Sequence, residues 1–258
     1  MRDPYLYPNS EVLKNLADVQ EEQILKDMEA DYTSYRLSEI VADANWLEYD
    51  FHSLCEMHYR IFQDLYEWAG KPRIINIEKS EVVLGELSIE YSDCFDIERD
   101  AKQVLFDMNA FDWMAADFDQ AVDMFAACMA RLWKVHPYRE GNTRTIVTFC
   151  SMFIETQGIY IESELFKDHA SYMRDALVAA NAVFHDIGDL RKPEYLQQIV
   201  RDALERGKEM REHIEEQFRT IQLTVSEEDV RKIVFWNRKE REEHAAWEIR
   251  QYLRHEIK

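Results

Sequence analysis

The chain is 258 residues long, enough for one large domain or one domain with an appendage. Its residues are 47% hydrophobic and 32% charged, with only 6 Gly and 5 Pro; this excludes a disordered tail and turn-rich sandwiches, propellers or barrels, and favours long helices. Lys and Arg total 31 against 51 Asp and Glu, and the resulting formal charge of -20 disfavours non-specific binding to nucleic acid or a membrane surface.

At the start of the chain, Met1-Arg2-Asp3-Pro4 lacks the apolar stretch of a signal peptide, and no later apolar run approaches the ~18 residues of a membrane span. Phe51, Leu54, His58, Ile61, Leu65 and Trp68 then recur at three- and four-residue steps, which predicts one face of a helix. Between Gly70 and Tyr91 the pattern changes. Arg73-Ile74-Ile75-Asn76-Ile77 and Leu87-Ser88-Ile89-Glu90-Tyr91 are β-branched or alternating, with Glu78-Lys79-Ser80 and Gly85 between them, and predict a β-hairpin or extended flap. Val122, Phe125, Cys128, Met129, Leu132 and Trp133 mark a second helix, and Ile146, Phe149, Cys150 and Phe153 a third that ends near Gly158. All three stripes are expected to pack a core. Cys55, Cys94, Cys128 and Cys150 have no C-x-x-C spacing and predict reduced thiols in a cytoplasmic protein, without a disulfide or zinc site.

After about residue 204 the chain is dense in Glu, Arg and Lys, with apolar residues thinned to Ile214, Phe218, Ile221, Ile233, Trp236, Trp247 and Tyr252. Ser226-Glu227-Glu228-Asp229 reads as a helix cap with acidic residues in the first turn. The expected division is a main domain over 1–203 and a charged helical appendage over 204–258, with a break around residues 220–225. A solvated hairpin and a partner-docking arm are both compatible with that appendage.

The stretch that carries chemistry is Trp133-Lys134-Val135-His136-Pro137-Tyr138-Arg139-Glu140-Gly141-Asn142-Thr143-Arg144-Thr145. Pro137 ends the second helix near His136, because the residue before proline is pushed out of the α region. Gly141 permits a tight turn, and Asn142 can cap the helix that starts there. The free N–H groups of Gly141, Asn142 and Thr143 and the positive end of the helix suit a phosphate, and Arg144 can grip phosphate oxygens with two donors. Glu140 is suited to hold a Mg²⁺ that bridges the phosphates. His136 remains as a base working near neutral pH. Tyr138 is expected to plug the core.

In that order, His136-Pro137-Tyr138-Arg139-Glu140-Gly141-Asn142-Thr143-Arg144 resembles the Fic-family signature His-Pro-Phe-x-(Asp/Glu)-Gly-Asn-Gly-Arg-x-x-Arg. Asp3-Pro4-Tyr5-Leu6-Tyr7-Pro8 and Phe62-Gln63-Asp64-Leu65-Tyr66-Glu67-Trp68-Ala69-Gly70-Lys71-Pro72-Arg73 also resemble the family, so the similarity runs over about residues 1–203. The resemblance implies an all-α fold, a Fic-type helical bundle with a β-hairpin flap, here extended by the helical C-terminal appendage. It further implies a protein adenylyltransferase that moves AMP from ATP to a Ser, Thr or Tyr hydroxyl of a target protein docked on the flap at about residues 73–91. In that scheme His136 is the base and Glu140 holds Mg²⁺. Gly141, Asn142 and Thr143 line the anion hole, and Arg144 holds the β-phosphate.

Two positions depart from the signature. Thr143 replaces its second Gly, and Val147 stands where its final Arg would contact the γ-phosphate. These motivate two alternatives: transfer of another phosphate-linked group, or a degenerate binding module. Family members are often silenced by a helix bearing (Ser/Thr)-x-x-x-Glu-(Gly/Asn). Only Ser151…Glu155 and Thr224…Glu228 have that spacing, followed by Thr156 and Asp229. No built-in inhibition of this kind is therefore expected, which leaves room for a separate antitoxin-like inhibitory protein. Tyr172 and Asn181 lie in the part of the chain that would serve an adenine pocket, but helix packing is their expected role.

Overall fold

A computed structural model describes residues 3–42 and 48–220, the last four through their backbone alone. It contains α1 (Glu22–Ala42), α2 (Phe51–Phe62), α3 (Ile97–Ala110), α4 (Phe118–Val135), α5 (Asn142–Thr156), α6 (Glu164–Asp168), α7 (Ala170–Ala180) and α8 (Glu194–Thr220). A short antiparallel hairpin, β1 (Val183–Phe184) with β2 (Gly188–Asp189), lies between α7 and α8.

Helix α4 is the axis of the fold. Its start is fixed by a capping box in which Gln120 N–H donates to Asp117 (2.8 Å) and Asp117 N–H donates back to the Gln120 side chain (3.0 Å). Ten of its 18 residues are buried, including Val122, Phe125, Met129, Leu132 and Trp133, so it is covered on most sides. Helices α3, α5, α7 and α8 pack around it, and α2 packs on α5. Helix α2 is capped by Asp50, which accepts from Ser53 N–H at 2.7 Å, and it buries Leu54, Met57, His58, Ile61 and Phe62. Each large apolar side chain buried this way contributes about 1.5–3 kcal/mol. The three apolar stripes expected from the sequence are thus core faces, although α2 ends at Phe62 and Leu65 and Trp68 follow in the turns beyond it.

Helix α1 is different. Only Leu25, Thr33 and Ile40 are buried on it, and it lies outside α2, where it walls one side of the cavity described below.

The segment between Gly70 and Tyr91 is an extended flap. It is closed by one antiparallel bridge, Glu81 with Leu87, around a single 3-10 turn at Val82–Leu84. Gly85 ends that turn at φ +64°, in the left-handed region that glycine enters without strain. The flap has no longer ladder because its backbone is tied to side chains instead. Lys79 N–H donates to Ser88 Oγ (3.0 Å), and Arg73 donates to the Ile75 and Ser92 carbonyls.

Helix α8 crosses residue 204 without a break, with Ala203 and Leu204 both buried against the core. Gly207 packs closely there: a Cβ would lie 2.5 Å from the Tyr160 carbonyl oxygen. Beyond it Arg211 stacks over the Tyr160 ring at 4.3 Å, and the flanking residues turn to solvent. The charged stretch therefore begins as the outer end of a core helix. The expected break after Thr220, the cap at Ser226, the pair Thr224…Glu228 and the apolar residues from Ile221 to Tyr252 lie outside the described residues.

Within the described residues all four cysteines are free thiols, with Cys128 and Cys150 buried and Cys55 and Cys94 half-buried. Burial pushes the Cys128 and Cys55 thiols up to about 11, which keeps them protonated and inert at neutral pH. No helix among these residues is long and apolar enough to cross a membrane.

Candidate active site

His136 caps the C-terminus of α4 in a left-handed conformation, φ 49° and ψ 61°, immediately before Pro137. Such a backbone costs a non-glycine residue roughly 1–2 kcal/mol and needs support from around it. The support is visible: His136 N–H donates to the Trp133 carbonyl (3.0 Å), and the buried Arg73 guanidinium donates Nε–H to the His136 carbonyl (2.9 Å). The imidazole stacks on Tyr91 at 4.0 Å and meets the edge of Trp133 at 5.2 Å. The residue is only 1% exposed, and neither Nδ1 nor Nε2 has a hydrogen-bond partner. Burial, followed by the positive charges of Lys79, Arg73 and Arg174, holds its pKa well below the ordinary histidine value. The ring is therefore neutral at pH 7, with an unused lone pair.

Asn142, expected to cap α5, is instead its first residue, with Gly141 at the N-cap, and its side chain clips the turn before it. Its Oδ1 accepts from Tyr138 N–H (2.9 Å), and its Nδ2 donates to the Tyr138 carbonyl (2.7 Å). Tyr138 plugs the core as expected, fully buried, stacked on His58 at 3.7 Å and donating its hydroxyl to the Leu54 carbonyl (3.0 Å). Gly141 occupies the N-cap of α5 at φ +82°, where a Cβ would sit 2.3 Å from the Phe62 ring. No other residue fits there. Thr143 accepts the Trp133 indole N–H at 2.9 Å and keeps its hydroxyl hydrogen as a donor. Arg144 lies over the Phe62 ring at 5.5 Å and pairs with Glu29 of α1 at 3.2 Å, while Tyr66 donates its hydroxyl to the other Glu29 oxygen (2.6 Å).

Glu140 faces the same space. One carboxylate oxygen takes the Gly141 N–H (3.0 Å), and the other takes the Lys79 ammonium from the flap (2.9 Å). Burial alone would raise its pKa, but Lys79 and the Gly141 amide outweigh it and hold the carboxyl below the usual range.

His136, Glu140, Gly141, Asn142, Thr143 and Arg144 thus all line one cavity of about 620 Å³, walled by α1, α5, α6 and α7 and reached by Lys79 and Arg174. Val147 also lines it, so the position that lacks the signature's last arginine presents an apolar side chain. Ser151 and Glu155 line it too, within α5 as their spacing suggested. Tyr172 is not among the lining residues and donates to the Tyr195 carbonyl (3.2 Å). Asn181 is buried and donates to the Ala130 and Leu177 carbonyls, a packing role.

Several residues that hold this geometry were not singled out from the sequence for such roles. His58, read only as part of an apolar stripe, accepts Gly70 N–H at Nδ1 (2.8 Å) and therefore donates Nε2–H to the Glu140 carbonyl (3.1 Å). Burial lowers its pKa to about 3, so it is a neutral strut. Arg73 ties both ends of the flap to the His136 backbone. Glu81, nearly buried on the flap, pairs with Arg174 of α7 at 2.7 Å. Asp3 grips the loop through Arg139 (2.8 Å), and Tyr5 stands edge-on to Trp68 while its hydroxyl receives the Ile74 N–H.

No group of three His, Cys, Asp or Glu side chains suited to a metal occurs among the described residues. A magnesium ion arriving on nucleotide phosphates needs only one or two carboxylates from the protein, and Glu140 fits that part.

A family model described as the Fic/DOC family matches residues 48–154, a span that contains α2, the flap, α4 and nearly all of α5. Over 166 residues the chain is 31% identical to a probable protein adenylyltransferase, y4lH, of Sinorhizobium fredii, covering 63% of this chain and 80% of that protein. The chain belongs to the Fic/DOC family. Its fold is that of Fic domains from Bartonella effectors. The BepC protein of Bartonella tribocorum, solved with AMPPNP, superposes with a TM-score of 0.64 at 16% identity, covering 77% of this chain and 95% of that one. A Fic domain from Bartonella quintana, solved with ADP, gives 0.62 at 20% identity, over 77% and 93% of the two chains. The likeness to Fic domains therefore extends over about three quarters of the chain.

Proposed function

We propose that this Fic protein transfers AMP from ATP to a hydroxyl side chain of a protein target. The observation that carries the reading is His136: a neutral, unpartnered imidazole beside the bare N-terminus of α5, in one cavity with Arg144 and Glu140. The likeness to proteins named adenylyltransferases, and to Fic domains solved with AMPPNP and ADP, supports the choice of nucleotide.

The target hydroxyl meets a lone pair of His136 and gives up its proton there. Its oxygen bonds to the α-phosphorus as the bond to the pyrophosphate oxygen breaks in line, leaving a phosphodiester on the target and an imidazolium that returns its proton to solvent. The N–H groups of Asn142 and Thr143, joined by that of Gly141 once it leaves Glu140, receive charge developing on phosphate oxygens, and Arg144 turns from Glu29 to the β-phosphate. Glu140 would hold Mg²⁺, which supplies neutralisation of phosphate charge when bound. The flap presents the exposed side chains of Ile74, Val82 and Leu87, against which a target segment would lie.

The test is transfer of label from α-phosphate-labelled ATP to protein in a lysate, read together with intact mass. Wild type is expected to add AMP, and His136→Ala to lose at least about a hundredfold of that rate. Equal labelling by both would remove His136 as the base. Val147 favours a second reading, transfer of a phosphate or another phosphate-linked group, because the cavity lacks the cation expected at that position. An added mass of phosphate alone, in place of AMP, would select it.

A further inference from the structure

Four cations line the cavity, Lys79, Arg144, Lys167 and Arg174, and each is paired with a carboxylate, Lys167 with its helix neighbour Glu164. Arg144 is held by Glu29 of α1 and Arg174 by Glu81 of the flap, both partners lying outside the phosphate loop. Lys79 alone reaches across to a carboxylate of the loop itself, with its Nζ 2.9 Å from Glu140 Oε2. Its side chain is only 18% exposed. It is also close enough to His136 to be the largest electrostatic cause of that histidine's lowered pKa. The ammonium thus pairs with Glu140 while Lys79 lines the cavity that phosphates would enter.

Both oxygens of Glu140 are engaged, one by Lys79 and the other by the Gly141 amide. A divalent cation binding this carboxylate through Oε2 must displace the ammonium or share the oxygen with it. An ammonium has three N–H donors, and one suffices for Glu140. The other two can reach phosphate oxygens at the short distances of charge-assisted hydrogen bonds. The sequence carboxylate, cation, phosphate that a metal would build is therefore available from the chain's own residues.

We propose that Lys79 is a phosphate-binding residue whose ammonium bridges Glu140 to the bound nucleotide, so that this protein binds ATP even before the Mg²⁺ that Glu140 would hold is present. The inference rests on the nucleotide-binding reading above and adds to it a flap residue and a metal-independent mode of binding. The flap then touches both substrates: its edge lies along the target, and Lys79 fastens its inner side to the nucleotide.

Calorimetric titration of ATP in excess EDTA, and separately in excess Mg²⁺, tests this with wild type, Lys79→Met and Lys79→Arg. Wild type is expected to bind in EDTA. Lys79→Met should bind at least about tenfold more weakly there, with a smaller loss in Mg²⁺, and Lys79→Arg should keep most of the EDTA affinity. A second measurement uses wild type alone: acetylation of Lys79, followed by mass spectrometry, should slow when metal-free ATP is present. If wild type binds ATP only with Mg²⁺, or Lys79→Met matches wild type in EDTA, or Lys79 is acetylated equally with and without ATP, the proposal fails while the nucleotide-binding reading survives. Absence of ATP binding in either condition would overturn both.

Discussion

The imidazole of His136 is unusual for what it lacks. A buried ring normally has a partner for at least one nitrogen, and here neither nitrogen has one. This has a kinetic signature. Because burial and three nearby cations hold its pKa well below 6.5, the neutral, proton-accepting form prevails across the physiological range. The logarithm of kcat/KM plotted against pH should show no histidine inflection between about pH 6 and 8, and the acid limb should lie lower. A bend near 6.5 would assign the base to another histidine. Much of this site was legible in the loop alone, since Pro137, Gly141 and Asn142 announce their turn through local stereochemistry. His58 and Arg73 were not, because what they hold are backbone carbonyls 82 and 63 residues away, and a carbonyl leaves no mark in a sequence.

Among the elements, the flap shows how far a sequence pattern reaches. Alternating β-branched residues suggested a hairpin or an extended flap, and the segment is the latter, with only the Glu81–Leu87 bridge pairing there. Its order comes from the Arg73 guanidinium, which binds Ile75, Ser92 and His136 carbonyls at once, and from Glu81 against Arg174. Replacing Arg73 by Met should therefore loosen the flap while sparing α4. In hydrogen exchange, amides of residues 75–92 that are protected in wild type are expected to open at least about tenfold more readily, with those of Val122–Leu132 unchanged. Equal acceleration in both segments would mean that Arg73 supports the whole fold.

For the molecule as a whole, buried neutral histidines make stability depend on pH. His58 titrates at about 3 when folded and near 6.5 when unfolded, so below pH 6.5 the unfolded chain binds a proton that the folded chain refuses. Stability is full above 6.5 and falls as the pH drops, by up to about 1.4 kcal/mol per pH unit for each such histidine. His136 acts in the same direction, and so does Glu140 as the pH falls through the carboxylate range, its folded pKa being lowered. The formal charge of -20 opposes this, because acid relieves mutual repulsion. Comparison of variants separates the two: melting temperature should fall less between pH 7 and 5 in His58→Gln than in wild type. Parallel curves would mean that the buried ring is not the proton-linked group.

The contact of Asp3 with Arg139 joins distant parts of the chain. Through it the first described residue of the chain is fastened to the loop that carries His136, and Tyr5 beside it receives an amide of the flap. A substitution that removes the Asp3 carboxylate would release Arg139 and loosen the loop that carries the reactive histidine.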